Sequence, residues 1–297
     1  MTYQVFVLNT FILRSNDNEY DENKMKKIIV KKKIGEGNYG LVFLLTNNHV
    51  IKIFKNSTLN NNILNESSFL LPLKNENREL MFYYKYINNK KTNNFIINLY
   101  GIGLIKDTLI DNNQTYDINS YFIILPYCVS FYNNFNLYNS QLLHKNNGLN
   151  FTLNVMKRLL QISEFLENNY NVVNIDFKLK NFMFPEKTKN LNNLIMIDFS
   201  VIKNKSKKKY SIENKYYIWP YNENVLLEYI PSYAICINGL ELLFGYDEVI
   251  QLPNKNKMNY FLKNIEKKNK NAYTIFYNGI VKKMNTFNFS KLISSFQ

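Results

Sequence analysis

The chain has 297 residues, 46% of them apolar, with a formal charge of +14, two cysteines and two histidines. That apolar content supports a substantial core in one large domain or two lobes, which excludes a tail or an adaptor peptide. Cys128 and Cys236 lie far apart without a Cys-x-x-Cys spacing, and His49 and His144 stand alone. The sequence therefore gives no basis for a disulfide framework, a zinc site or Ser-His-Asp chemistry.

The charge is almost wholly lysine, with arginine only at Arg14, Arg78 and Arg158, and alanine only at Ala234 and Ala272. AT-rich coding produces that bias without any selection for nucleic-acid binding. The positive field still draws anionic partners over a screened range. The N-terminal stretch MTYQVFVLNTFILR lacks a basic n-region and a small-residue cleavage site, and no later apolar run is long enough to span a bilayer. The expectation is a soluble protein of a reducing, cytoplasmic compartment.

In chain order, residues 1–24 read as an extension of uncertain structure ending in the polar stretch SNDNEYDEN. From Lys26 to Phe54 the pattern is strand, glycine-rich turn, strand, Asn47-Asn48 turn, strand, an antiparallel meander. Residues 76–87 have helical composition. FIINLYGIGLI and YFIILPYC are β-rich runs separated by a polar loop over 107–119. Val155, Leu159, Ile162 and Leu166 then recur at helical spacing, followed by the short apolar segments VVNIDF and LIMIDF. YAICINGLELLFG reads as a buried helix ended by Gly245, and the lysine-rich remainder as amphipathic helices. The class is α+β: a first half (25–128) of antiparallel sheet with one helix, and a mostly helical second half (129–297).

Three signals carry chemistry. Gly35-Glu36-Gly37-Asn38-Tyr39-Gly40, followed by Val42, lies between two strands. Alone it is only a permissive hairpin, but a dinucleotide fingerprint needs a helix next, and here a strand follows. Lys52 sits inside the apolar strand VIKIF, where an inward ammonium needs an anionic partner; Glu79 is the first candidate and Glu76, one turn earlier, the second. Last come Asp176, Lys178 and Asn181 in NIDFKLKN, then Asp198 in MIDFS after a β-like run. Each is commonplace singly. The order and spacing of all of them are not.

From Lys26 to Gly245 this pattern resembles the eukaryotic protein kinase superfamily, and ELMFYYKYI, starting at Glu79, is similar to the helix of the casein kinase 1 and vaccinia-related kinase branch, which includes poxviral kinases. The resemblance implies a bilobal kinase fold with an abbreviated C-terminal lobe, and ATP and Mg²⁺ as cofactors. It implies Asp176 as the base for a substrate hydroxyl, Lys178 facing the transferred phosphoryl group, Asn181 and Asp198 on the metal, and Lys52, held by Glu79, on the α- and β-phosphates. It further implies a gatekeeper near Leu125, a hinge through Pro126, Tyr127 and Cys128 that binds adenine, and a buried F helix at YAICINGLELLFG.

The chain departs from the family's pattern in several places. His-Arg-Asp is Asn174-Ile175-Asp176, so no arginine receives an activation-loop phosphate, and activity is expected to need none. Asp-Phe-Gly is Asp198-Phe199-Ser200, expected to stiffen the loop while keeping the metal ligand. Ser232 stands where the F helix usually carries aspartate, so the catalytic loop must be braced differently. Glu223 or Asn224 could stand for the glutamate of Ala-Pro-Glu. The lysines of 203–209 read as a solvated loop, or as a preference for acidic or phosphorylated protein substrates.

The leading expectation is a Ser/Thr protein kinase. A pseudokinase acting as a binding module is the rival, favoured by the altered motifs and opposed by the retained metal ligands. A small-molecule kinase fits the Asp176-x-Lys178 spacing less well. Nucleic-acid binding rests on charge and abundant Tyr and Phe, with no reading motif. The compositional bias together with the poxvirus-like helix points to a viral source and the host-cell cytoplasm.

Overall fold

The computed structural model describes residues 6–13, 25–37, 40–54, 79–80, 82–83, 94–111, 114–137, 141–206, 209–210, 225–249 and 255–295. The chain divides into two units: residues 1–93 with 97–128, and residues 94–96 with 129–297.

The first unit is a closed barrel of β1 (Phe6–Leu13), β2 (Met25–Gly37), β3 (Gly40–Leu45), β4 (His49–Phe54), β5 (Gly101–Asp111) and β6 (Gln114–Pro126), in the order β1-β2-β3-β4-β6-β5. The expected meander is β2, β3 and β4. Asn48, with φ 59°, turns the chain between β3 and β4 in the left-handed region that asparagine tolerates. Period-two alternation sends Leu41, Phe43 and Leu45, with Ile51, Ile53 and Phe122, into one buried cluster that includes Ile28 and Val30.

Two features of this unit differ from what the sequence implies. Part of the N-terminal extension is strand: β1 pairs antiparallel with β2 (Phe6↔Val30) and with β5 (Leu13↔Ile102). Where a loop is expected over 107–119, residues 107–111 and 114–119 are the outer half of the paired strands β5 and β6, in register from Lys106↔Asn119 to Asp111↔Gln114. Ladder pairing needs backbone groups, not apolar side chains, so a polar sequence can extend a hairpin once a short turn sets the register. Glu79, Leu80, Phe82 and Tyr83 are helical and buried, which falls within the helix expected over 76–87.

The second unit is built on α2 (Gly148–Tyr170) and α3 (Ile230–Phe244). Before α2 come β7 (Val129–Ser130) and the short α1 (Phe131–Phe135), whose Ser130 N-cap oxygen accepts from the Asn133 amide at 3.2 Å. Residues 155, 159, 162 and 166 of α2 are buried at helical spacing, as expected. Asn171 ends α2 with φ 53°, its amide donating to the Glu167 and Leu166 carbonyls. Arg158, on the same helix, is 5% exposed and donates to the carbonyls of Leu194 and Asn94 while its guanidinium lies 4.6 Å over the Phe95 ring. Burial pushes this guanidinium down to about 10, still cationic at neutral pH.

Next in the chain, β8 (Val172–Asn174) pairs with β11 (Ile202–Asn204), while β9 (Phe182–Phe184) pairs with β7 and with β10 (Ile195–Met196). These pairings bracket the loop 175–181. β12 (Lys209–Tyr210) pairs with β13 (Val225–Leu226). Helix α3 is buried over almost its whole length, and Gly239 lets other helices close on it: a Cβ there would lie 2.6 Å from Met156 Sδ and 2.8 Å from a Phe276 ring carbon. Helices α4 (Tyr246–Val249), α5 (Lys255–Lys268), α6 (Lys270–Ile280) and α7 (Thr286–Ser295) complete the unit. Among the described residues no helix is long and apolar enough to cross a membrane.

Candidate active site

In the barrel, Gly35 pairs with Val42, Val42 with Lys52, Lys52 with Ile123 and Ile123 with Ile102, a row crossing five strands. Residues directly opposite one another share a face, so Lys52 lies opposite the interior cluster of Leu41, Phe43 and Ile53. Its ammonium meets Glu79 Oε2 at 2.6 Å, with side-chain exposures of 16% and 0%. The candidate partner Glu76 lies outside the described residues.

The glycine motif closes the β2–β3 hairpin: Glu36 pairs with Leu41 and Gly37 with Gly40. Asn38 and Tyr39, at its tip, lie outside the described residues. Only Gly40 is required by the barrel itself, since a Cβ there would meet the Ile53 carbonyl oxygen at 2.6 Å; around Gly37 there is open space within 4 Å and at Gly35 an ordinary contact with Val42. Two of the three glycines therefore keep the strand surface bare without serving packing.

Leu125 is buried and pairs with Val50, on the same face as Lys52. Past the end of β6, Tyr127 is exposed and its amide donates to the Asn48 carbonyl at 3.2 Å, while Cys128 Sγ donates to the Pro126 carbonyl at 3.7 Å. Burial pushes the Cys128 thiol up to about 11, which disfavours the nucleophilic thiolate at neutral pH.

The second unit gathers the remaining candidates. Asp176 Oδ2 accepts from Lys178 Nζ at 2.5 Å and from Asn181 Nδ2 at 3.2 Å. Asn181 Nδ2 also donates to the Asp176 carbonyl at 2.8 Å, which commits the amide nitrogen to the loop and leaves Oδ1 as the atom able to take a ligand. The Ile197 amide donates to the Asn181 carbonyl at 3.0 Å, so Asp198 follows directly on a residue tied to Asn181. Asp198 Oδ1 accepts from the Ser200 amide at 3.0 Å. Ser200 has no left-handed backbone conformation, so the serine sits in place of glycine without strain.

Two buried asparagines that sequence reasoning gave no role organise this loop. Asn174 Oδ1 accepts from the Asp176 amide at 2.8 Å, and its Nδ2 donates to the Asp198 carbonyl at 2.9 Å, coupling the two acidic positions through one side chain. Asn238, on α3, bonds the backbone at Phe177 and Leu179. In a chain where asparagine crowds every segment, nothing marked these two out. Ile175 packs with Val173, Leu227 and Ile230, so an apolar contact fills the arginine's place. Glu223 and Asn224 lie outside the described residues.

Neither family models nor curated protein sequences match the chain. Solved structures do. One is the ROP18 kinase domain in complex with AMP-PNP and sucrose, which matches with a TM-score of 0.64 over 98% of this chain and 83% of that one, at 10% identity. The chain has a protein-kinase-like fold. The strand barrel with its buried Lys52–Glu79 pair is the N-terminal unit of that fold, and the helical unit carrying Asp176 is the C-terminal one.

The donor set suits magnesium. Mg²⁺ takes one or two carboxylates with phosphate and water oxygens, and Asp198 with Asn181 Oδ1 offers one carboxylate and one amide oxygen. Among the described residues no group of three or more His, Cys, Asp or Glu could hold a metal ion.

Proposed function

We propose that the chain is an ATP-dependent protein kinase that transfers the γ-phosphate to a Ser or Thr hydroxyl, with Asp176 as base. The observation that supports it most is the pair Asp176–Lys178 at 2.5 Å, on a loop whose amide side chain, Asn181, bonds the same carboxylate. A carboxylate so placed accepts the hydroxyl proton as the new P–O bond forms, and the lysine beside it meets the charge on the transferring phosphoryl oxygens. Lys52, oriented by Glu79, serves the α- and β-phosphates. Asn181 and Asp198 would hold Mg²⁺, whose chemistry there is to neutralise phosphate charge. The fold's occurrence in a kinase domain bound to AMP-PNP supports nucleotide binding, with Leu125, Tyr127 and Cys128 at the adenine end and the bare strands at Gly35 and Gly37 under the phosphates.

The substrate class follows from charge. Lys178 and Lys180 lie on the base's loop and Lys203 on β11, so an acidic or already phosphorylated protein is the expected acceptor. Placement in the casein kinase 1 and vaccinia-related branch and a cytoplasmic site of action are part of the same reading.

The test is Mg-dependent transfer of label from ATP to acidic and basic protein panels, comparing wild type with Asp176→Asn. Loss of about 10³-fold or more in the variant is expected. Background incorporation by both proteins would leave only the regulatory pseudokinase.

A further inference from the structure

We propose that Asn238, in the middle of α3, is the positioning residue that sets Lys178 against Asp176, a bracing task that the Ser232 hydroxyl in the first turn of the helix does not perform. The inference rests on the kinase reading for its consequence, and on three observations for its geometry.

Asn238 is fully buried in a helix whose other inward residues are almost all apolar. A polar group in such a place costs free energy unless its bonds are made. Both are made with the same loop: Oδ1 accepts from the Leu179 amide at 3.1 Å, and Nδ2 donates to the Phe177 carbonyl at 2.6 Å. Phe177 and Leu179 are the two neighbours of Lys178. One side-chain amide therefore fixes the backbone on both sides of the lysine and, with it, the direction of the side chain that meets Asp176 at 2.5 Å.

The third observation is at the helix start. Ser232 is 0% exposed, and its hydroxyl has no hydrogen-bond partner among the described residues. The serine hydroxyl thus makes no hydrogen bond to the loop, and the side-chain hydrogen bonds from α3 to it lie six residues along, at Asn238. An asparagine suits this place because its planar amide presents one acceptor and one donor, matching one N–H and one C=O; leucine would fill the volume and leave both backbone groups unpaired.

A positioning residue predicts a loss in turnover beyond its effect on stability. Asn238→Leu is expected to lower kcat about 100-fold, the scale of a misplacement near 1 Å, with KM for ATP within about twofold. Asn134→Leu is the control: that asparagine is also buried and also bonds a backbone segment in both directions, at Thr188, away from the loop. It should lose comparable thermal stability and keep kcat. Amide hydrogen exchange gives a readout independent of activity: the Leu179 amide should exchange at least about tenfold faster in Asn238→Leu, with the β3 and β4 amides unchanged. If wild type transfers no phosphate, the kinase reading fails and the exchange measurement alone decides the brace. Wild-type exchange at Leu179, or an equal fall of kcat in Asn134→Leu, overturns the proposal.

Discussion

Buried Glu167 of α2 holds the ammonium of Lys205, just past β11, at 2.8 Å, while the Lys205 amide donates to the Asn171 carbonyl at the end of the same helix, also at 2.8 Å. The other oxygen of Glu167 takes the hydroxyls of Thr286, which opens α7, and of Ser163. One carboxylate therefore fastens α2 to the segment after β11 and to α7. The partners are unequal, with side-chain exposures of 6% for Glu167 and 40% for Lys205. Glu167→Leu, which strands the hydroxyls and the lysine, should destabilise by about 2–4 kcal/mol. Lys205→Ala should cost about 1 kcal/mol or less, because water already screens its ammonium. Urea denaturation of the two variants checks the order, and equal losses would contradict this account.

The Lys52–Glu79 pair makes a different prediction, because here both partners are largely dry. Lys52→Met leaves a carboxylate buried without its counter-charge and should cost about 3–5 kcal/mol. The double variant Lys52→Met/Glu79→Leu should recover most of that stability while phosphate transfer stays at least about 100-fold down. Stability and activity thus part company. A double variant as unstable as Lys52→Met would show that the pair is not what sets the cost.

Alkaline pH should weaken the first unit. Burial pushes the Cys128 thiol from 9.0 up to about 11 and the Tyr121 hydroxyl from 10.0 up to about 12. The folded chain keeps these protons where the unfolded chain releases them, so the stability they contribute is fully present below pH 9 and is lost as pH rises, across 9–11 for Cys128 and 10–12 for Tyr121. Each full loss amounts to about 2–3 kcal/mol. Urea titrations at pH 8, 9.5 and 10.5 should show the decline, and Cys128→Ser should flatten its first part. The same thiol should alkylate slowly at neutral pH; rapid modification there would sink the assignment.

What could be read from the sequence was whatever spacing alone encodes. The β2–β4 meander shows in alternation and turn residues, α2 and α3 in helical spacing and apolar density, and the loop's acid and amide in the interval from Asp176 to Asn181. The Lys52–Glu79 pair was legible only from two segments together, since a lysine in a strand taken alone reads as solvent-facing and it is the acid in the helical segment downstream that gives it a partner. The hairpin over 107–119 was not, since its pairing is a backbone property that polar side chains disguise. Strand β1 was not, because its partners are β2 and the distant β5, and local composition says nothing of either. Asn174 and Asn238 were invisible for a third reason: their roles consist of hydrogen bonds to main-chain atoms, which can be made to any residue type and leave no partner pattern in the sequence.

Ile175 carries the last prediction. Arginine at this position would offer a guanidinium to a phosphate; the isoleucine instead packs with Val173, Leu227 and Ile230, and its amide donates to the Val201 carbonyl at 3.5 Å. The segment after Asp198 is thus fastened by apolar contact, by the β8–β11 ladder and by Lys205 on Glu167, none of which a phosphate would strengthen. Treatment with a broad-specificity phosphatase should leave the transfer rate within about twofold of the untreated enzyme. Ile175→Arg should cost about 1–3 kcal/mol by placing a charge against three apolar side chains, an amount held down because the long stem can lift its head toward water. It should bring no gain on phosphorylation. Complete loss of transfer after phosphatase, restored by an upstream kinase, would show that the apolar fastening does not suffice.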